Sequence, residues 1–81
     1  MARLINEPVE VHIKPGLSAF IWRKRLYRVD EILRRWREPS QWWNGEELRT
    51  FLRVNANHSS VKGTYELYNL GSDWFLYKVL D

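Results

Sequence analysis

The sequence predicts an all-β domain, five or six antiparallel strands making a twisted sheet or a small barrel. Three observations point there. Apolar and polar residues alternate in several short runs, the period of two that a half-buried strand requires. Turn signals interrupt these runs at Pro15-Gly16, Asn55 to Gly63 and Gly71-Ser72, at the spacing of about 8–12 residues that small all-β folds show. The last run, Trp74 to Leu80, is apolar on both faces, which suits a central strand or a closed barrel. Closure would also remove the exposed edges of so small a sheet.

In order, residues 1–7 read as an N-terminal extension and residues 8–81 as a single β domain. Pro8 to Lys14 sets Val9, Val11 and Ile13 against Glu10, His12 and Lys14. Ala19 to Trp22 is a short strand with Phe20 and Trp22 on one face. Arg23-Lys24 stands where a two-residue hairpin turn would fit, without the Gly or Asn that such turns favour. The next stretch is ambiguous. Val29, Ile32, Leu33 and Trp36 fit helical spacing, so a short helix near residues 30–37 is possible, with Asp30 as its cap. A strand bulged near Asp30-Glu31 is favoured instead, keeping Ile32, Arg34 and Trp36 on one face. The basic run gives a helix almost no i,i+4 support, and Glu38-Pro39 would stop it early. Pro39 to Gly45 reads as a loop holding Trp42-Trp43. Leu48 to Asn55 alternates again, Asn55 to Gly63 reads as a polar loop, and Thr64 to Tyr68 as a strand with Tyr65 and Leu67 on one side.

Eighty-one residues with five Trp, four Tyr and three Phe describe a small core built from large rings, each able to bury about 150–250 Å². Trp22, Trp36 and Trp74 are expected to be structural. There is no cysteine, so disulfides and thiolate metal sites are excluded, and a reducing cytoplasm is the simplest setting. No apolar run reaches the ~18 residues of a membrane span, and no secretory signal is visible. No membrane partner is expected. The apolar fraction of 44% argues against disorder. Net charge is +3, but residues 23–37 alone carry seven Arg/Lys against two carboxylates. The basicity is therefore local.

The pattern AFIWRKRLYRV, RRWRE, WW, FLRV, G-TYELY and W-FLYKVLD resembles a small bacterial domain of unknown function, over most of the chain from Phe20 to Asp81. The matching residues are Trp22, Arg23, Arg25, Tyr27, Arg28, Val29, Trp36, Trp42, Trp43, Tyr65, Trp74 and Asp81. Lys24 departs from the usual Gly, Phe51-Leu52 from a usual Tyr-Trp, and Leu80 from a usual Tyr. Similar segments form the C-terminal part of the inactive, Y-family polymerase-like subunit of actinobacterial mutagenic repair complexes. The resemblance implies a DNA-repair-associated binding role, with single-stranded DNA or a repair protein as partner, and no catalytic residues.

The basic, aromatic stretch is the candidate site. Arg23, Lys24, Arg25, Arg34, Arg35 and Arg37 would neutralise phosphates, and Trp42 or Trp43 would stack on a base. The plainer reading is a solvated face whose arginine stems cover neighbouring rings. The alternative function is a protein-interaction adaptor that meets an acidic partner or its own copy. An enzyme is not expected. Glu10 and His12 share a strand face without a nucleophile, and Asp30-Glu31 and Glu46-Glu47 diverge as sequence neighbours in strands. Two histidines, His12 and His58, are too few for a metal site without cysteine. Asn57-His58-Ser59 has the composition of a loop, and no glycine-rich phosphate loop occurs. No cofactor is expected.

Overall fold

Alternation along each strand sorts the side chains onto two faces, and the pairing of the strands decides which face becomes the interior. In the computed structural model, residues 2–13, 16–39 and 48–80 are described. Six strands form one antiparallel sheet: β1 (Arg3–Ile13), β2 (Leu17–Trp22), β3 (Arg25–Pro39), β4 (Leu48–His58), β5 (Val61–Leu70) and β6 (Asp73–Leu80). Each pairs with its neighbour in sequence, and β6 returns to pair with β1, closing a barrel. The ring is uneven. β2 has 6 residues and β3 has 15, so β2 covers only Arg25 to Arg28 of β3. Beyond that point β3 and β4 run on as a long hairpin.

The interior is filled by Leu17, Phe20, Trp22, Tyr27, Leu52, Val54, Ala56, Tyr65, Leu67, Leu76 and Val79, with Ile5, Val9, Val11, Val29 and Trp74 packed at its margin. Phe20 and Tyr27 stack at 5.0 Å, and Tyr65 meets both edge-on at 5.6 and 5.4 Å. Burying one such ring stabilises by about 1.5–3 kcal/mol. A closed sheet this small has room for few side chains, so three rings in contact do what several aliphatics would do in a larger domain.

A second cluster lies on the outer face. Trp36 stands opposite Phe51, Phe51 opposite Tyr68, and Tyr68 opposite Phe75, one row across four strands. Trp36 stacks on Phe51 at 5.3 Å and Tyr68 on Phe75 at 5.0 Å, while Tyr77 meets Phe51 edge-on at 5.2 Å. Phe51 is 1% exposed, so this face is a small core of its own. The Tyr68 hydroxyl donates to Asn6 Oδ1 at 2.7 Å and ties the row to β1. Beside the row, Arg53 donates through Nε to Glu66 Oε2 at 2.9 Å, and its Nη2 lies 2.7 Å from the same oxygen. Glu66 is 4% exposed.

The bulged strand favoured for residues 30–37 forms, and no helix occurs among the described residues; other expectations change. Bulges interrupt the β3–β4 register between Val29 and Glu31 and again between Ile32 and Arg34. The second bulge separates Ile32, which stands opposite the core residue Val54, from Arg34 and Trp36 on the outer face. β1 begins at Arg3 and not at Pro8, because Asn6 at φ 55° forms a bulge that restores pairing with β6 after an irregular step. The expected loop from Asn55 to Gly63 is mostly strand, turning only at Ser59-Ser60. Its polar residues bond across strands: Thr64 donates to Asn55 Oδ1 at 2.8 Å and Asn57 to Asp30 at 2.9 Å. A register shift between Glu66 and Leu67 makes Tyr77 the extra residue on β6, and that places Val79 with Trp74 and Leu76 on the inner side.

The Arg23-Lys24 turn is a two-residue hairpin turn with both residues at positive φ, 53° and 65°, the type I′ pattern that matches strand twist. A side chain there costs roughly 1–2 kcal/mol. Lys24→Gly should therefore raise stability by about 1 kcal/mol, shifting the melting temperature upward by about 4–8 °C in a domain of this size; an unchanged or lower value would show that the turn carries no strain. Arg53→Met should lower stability by about 2 kcal/mol, since it strands the buried Glu66 carboxylate beside a partly exposed partner site. A shift of the urea midpoint at constant slope reads this out.

Candidate nucleic-acid interface

The cations of the basic stretch fall into two groups. Arg23 and Lys24 are the β2–β3 turn and Arg25 opens β3, whereas Arg34, Arg35 and Arg37 lie near its far end. At ~3.3 Å per residue the two groups are roughly 30 Å apart along the strand. All six side chains are exposed. Within the far group the faces differ. Arg34 stands opposite Arg53 on the outer face and lies 4.8 Å from the Trp36 ring, whereas Arg35 stands opposite the core residue Leu52. Trp42 and Trp43 lie outside the described residues.

The turn group has company that the sequence did not advertise. Closure of β1 onto β6 brings Arg3, and the β4–β5 hairpin brings Lys62, to the same end of the barrel. With Arg23 and Arg25 they line a cleft of about 500 Å³, floored by Trp22, Tyr27, Tyr65 and Val79. Among the described residues no carboxylate lines this mouth. Arg3 fell in a stretch read as an extension, and Lys62 in a stretch read as a loop. Only the strand pairing unites them, so no local pattern could have found them. The floor rings are 7–8% exposed. They shape the cleft but offer little face for stacking a base.

One member of the set is already engaged. Arg23 donates to Glu7 through Nε to Oε1 at 3.2 Å and through Nη2 to Oε2 at 2.8 Å, and the Trp22 indole N–H donates to Oε1 at 2.9 Å. Arg23 also lies 4.7 Å from the Trp22 ring. The bond from Arg23, followed by that from Trp22, holds the Glu7 carboxyl below its ordinary range, and the carboxylate in turn raises Arg23. This forked pair holds the first residue of the strained turn and orients it at the rim. Arg25, Arg3 and Lys62 have no such anchor among the described residues, so an incoming anion need not break an ion pair to reach them.

Elsewhere the polar groups serve the fold. The His58 ring packs 5.0 Å from Tyr27, and its Nδ1 lies 3.1 Å from the Leu26 carbonyl, which requires Nδ1 to carry the proton. Glu10 and His12 are exposed on β1. Among the described residues no three His, Asp or Glu side chains converge as a metal site, and no helix is long and apolar enough to cross a membrane.

Because Glu7 is depressed on folding, its contribution is present at neutral pH and is lost as pH falls below its ordinary value of 4.5. A titration followed by the Trp22 indole N–H resonance should show an acid transition below that value, absent in Glu7→Gln. A transition at or above the ordinary value would contradict the clamp. No curated protein and no solved structure matches the chain. One family model does, a domain of unknown function named DUF6504, and it matches residues 1–81. With that match running from end to end, the chain belongs to the DUF6504 family.

Proposed function

We propose that this domain is a non-catalytic module that binds nucleic acid through its phosphate backbone, at the basic mouth of the barrel. The observation that carries the reading is the cleft where Arg3, Arg23, Arg25 and Lys62 meet with no carboxylate among the described lining residues. Four cations converging on a concave, ring-floored surface favour a polyanion, since each phosphate neutralised releases condensed counterions. The buried floor rings turn the reading away from base stacking at this end and towards contacts independent of sequence. Arg34, Arg35 and Arg37 form a second basic group that a longer strand could reach. A place beside DNA-repair machinery rests on the resemblance of the aromatic-basic pattern alone.

Fluorescence anisotropy of a labelled single-stranded oligonucleotide, titrated at several salt concentrations, tests the reading. Binding should weaken with salt, with a log–log slope near −2 for phosphate contacts to Arg3, Arg25 and Lys62, the three cations outside the Glu7 ion pair, at ~0.7 each. Arg25→Ala combined with Lys62→Ala should reduce that slope by about 1.4. Absence of binding at low salt, or a double variant that matches the wild type, would overturn it. Equal, salt-sensitive binding of polyglutamate would point to an acidic protein partner instead.

A further inference from the structure

The length mismatch between β2 and β3 leaves a second surface unassigned. β2 pairs with β3 only from Arg25 to Arg28. From Val29 to Pro39, β3 is bonded to β4 on one side, and no other described strand pairs with its opposite edge. Such an edge presents unpaired main-chain N–H and C=O groups, a template for another strand. At its centre Ile32 is 39% and Leu33 44% exposed.

We propose that this edge is a self-association surface, where β3 pairs antiparallel with β3 of a second copy about a two-fold axis at Ile32. The charge pattern selects both partner and register. Two residues, Asp30 and Leu33, are extra in the bulges. The remaining ladder positions beyond the reach of β2, read in order, are Val29, Glu31, Ile32, Arg34 and Arg35. An antiparallel copy centred on Ile32 sets Ile32 against Ile32 and Glu31 against Arg34, while Arg28, already paired with Ala19 of β2 on this edge, takes no part. A two-fold interface uses each contact twice, which makes two ion pairs around an apolar centre. The faces also agree. Glu31 stands opposite Asn55 and Arg34 opposite Arg53, both on the outer side, while Val29, Ile32 and Arg35 stand opposite the core residues Ala56, Val54 and Leu52. Centring instead on Arg34 would set two arginines against each other, a like-charge pair that destabilises a ladder. Bulges and charges often serve to protect an edge from pairing. Here the charges are of both signs and are arranged to complement their own reversed order.

Sedimentation velocity of the intact chain over a wide concentration range tests this. The wild type should sediment as a dimer at high concentration and dissociate on dilution, with twice the monomer mass at the upper plateau. Glu31→Lys and Arg34→Glu should each be monomeric, and the charge-swapped double variant should regain the dimer. Far-UV circular dichroism of each variant confirms that it is folded. A wild type that stays monomeric throughout, or a Glu31→Lys variant that dimerises like the wild type, would overturn the proposal. Arg25→Ala with Lys62→Ala should leave the dimer intact, since the barrel mouth is separate from this edge.

Discussion

Everything in this molecule depends on the pairing of β1 with β6. That ladder turns a meander into a ring, and only as a ring does the chain have an inside. Val9 stands opposite Trp74 and Arg3 opposite Val79, so the two ends of the chain jointly wall the space that Phe20, Tyr27 and Tyr65 occupy. Without closure those rings would line an open sheet with nothing to face. The same ladder carries Arg3 to the barrel mouth. Core and candidate binding site thus share one cause.

The uneven strand lengths are the second organising fact. A ring whose strands were all as short as β2 would be a plain cylinder. Because β3 and β4 continue past it, they gain an outer apolar row that needs its own cover, and Trp36 supplies it by lying flat on Phe51. Arg34, Arg53 and Arg49 then lie 4.8 Å and 5.9 Å from Trp36 and 5.3 Å from Phe51. Several arginines of this chain are therefore partners of aromatic rings before they are partners of anything else. Their guanidinium planes are held in place by the surface they cover. That separates them from the cations of the mouth, where Arg25 and Lys62 reach over a cleft.

How much could be read beforehand follows from how local each signal is. The all-β class, and strands at Val9, Phe20, Leu52 and Leu76, follow from period-two alternation within a few residues. The bulge near Asp30-Glu31 was legible because helix and strand patterns both broke there. The bulges at Leu33 and Tyr77 were not, since one inserted residue inverts every side chain beyond it and leaves no mark in composition. The turn at Ser59-Ser60 was hidden inside a polar run because Asn55 and Asn57 look like loop residues until their cross-strand partners, Thr64 and Asp30, are known. The site divided in the same way. Arg23 and Arg25 were legible as part of a dense run, but Arg34 to Arg37 proved to lie some 30 Å further along the same strand. Arg3 and Lys62 join the set only through contacts made at long range.

The ring closure has a consequence for the birth of the protein. Of these six strands, β6 is the last to leave the ribosome, and until it does β1 has only one neighbour. Val9, whose partner is Trp74, must wait unpaired until β6 is made. The nascent meander can begin to zip from its local hairpins, the tight turns at Arg23-Lys24 and Ser59-Ser60 among them. Its final stitch joins the first and the last of these six strands, a pairing at long sequence separation and so the slowest kind to find. In this fold, closure of the ring waits for β6, however early the local hairpins form.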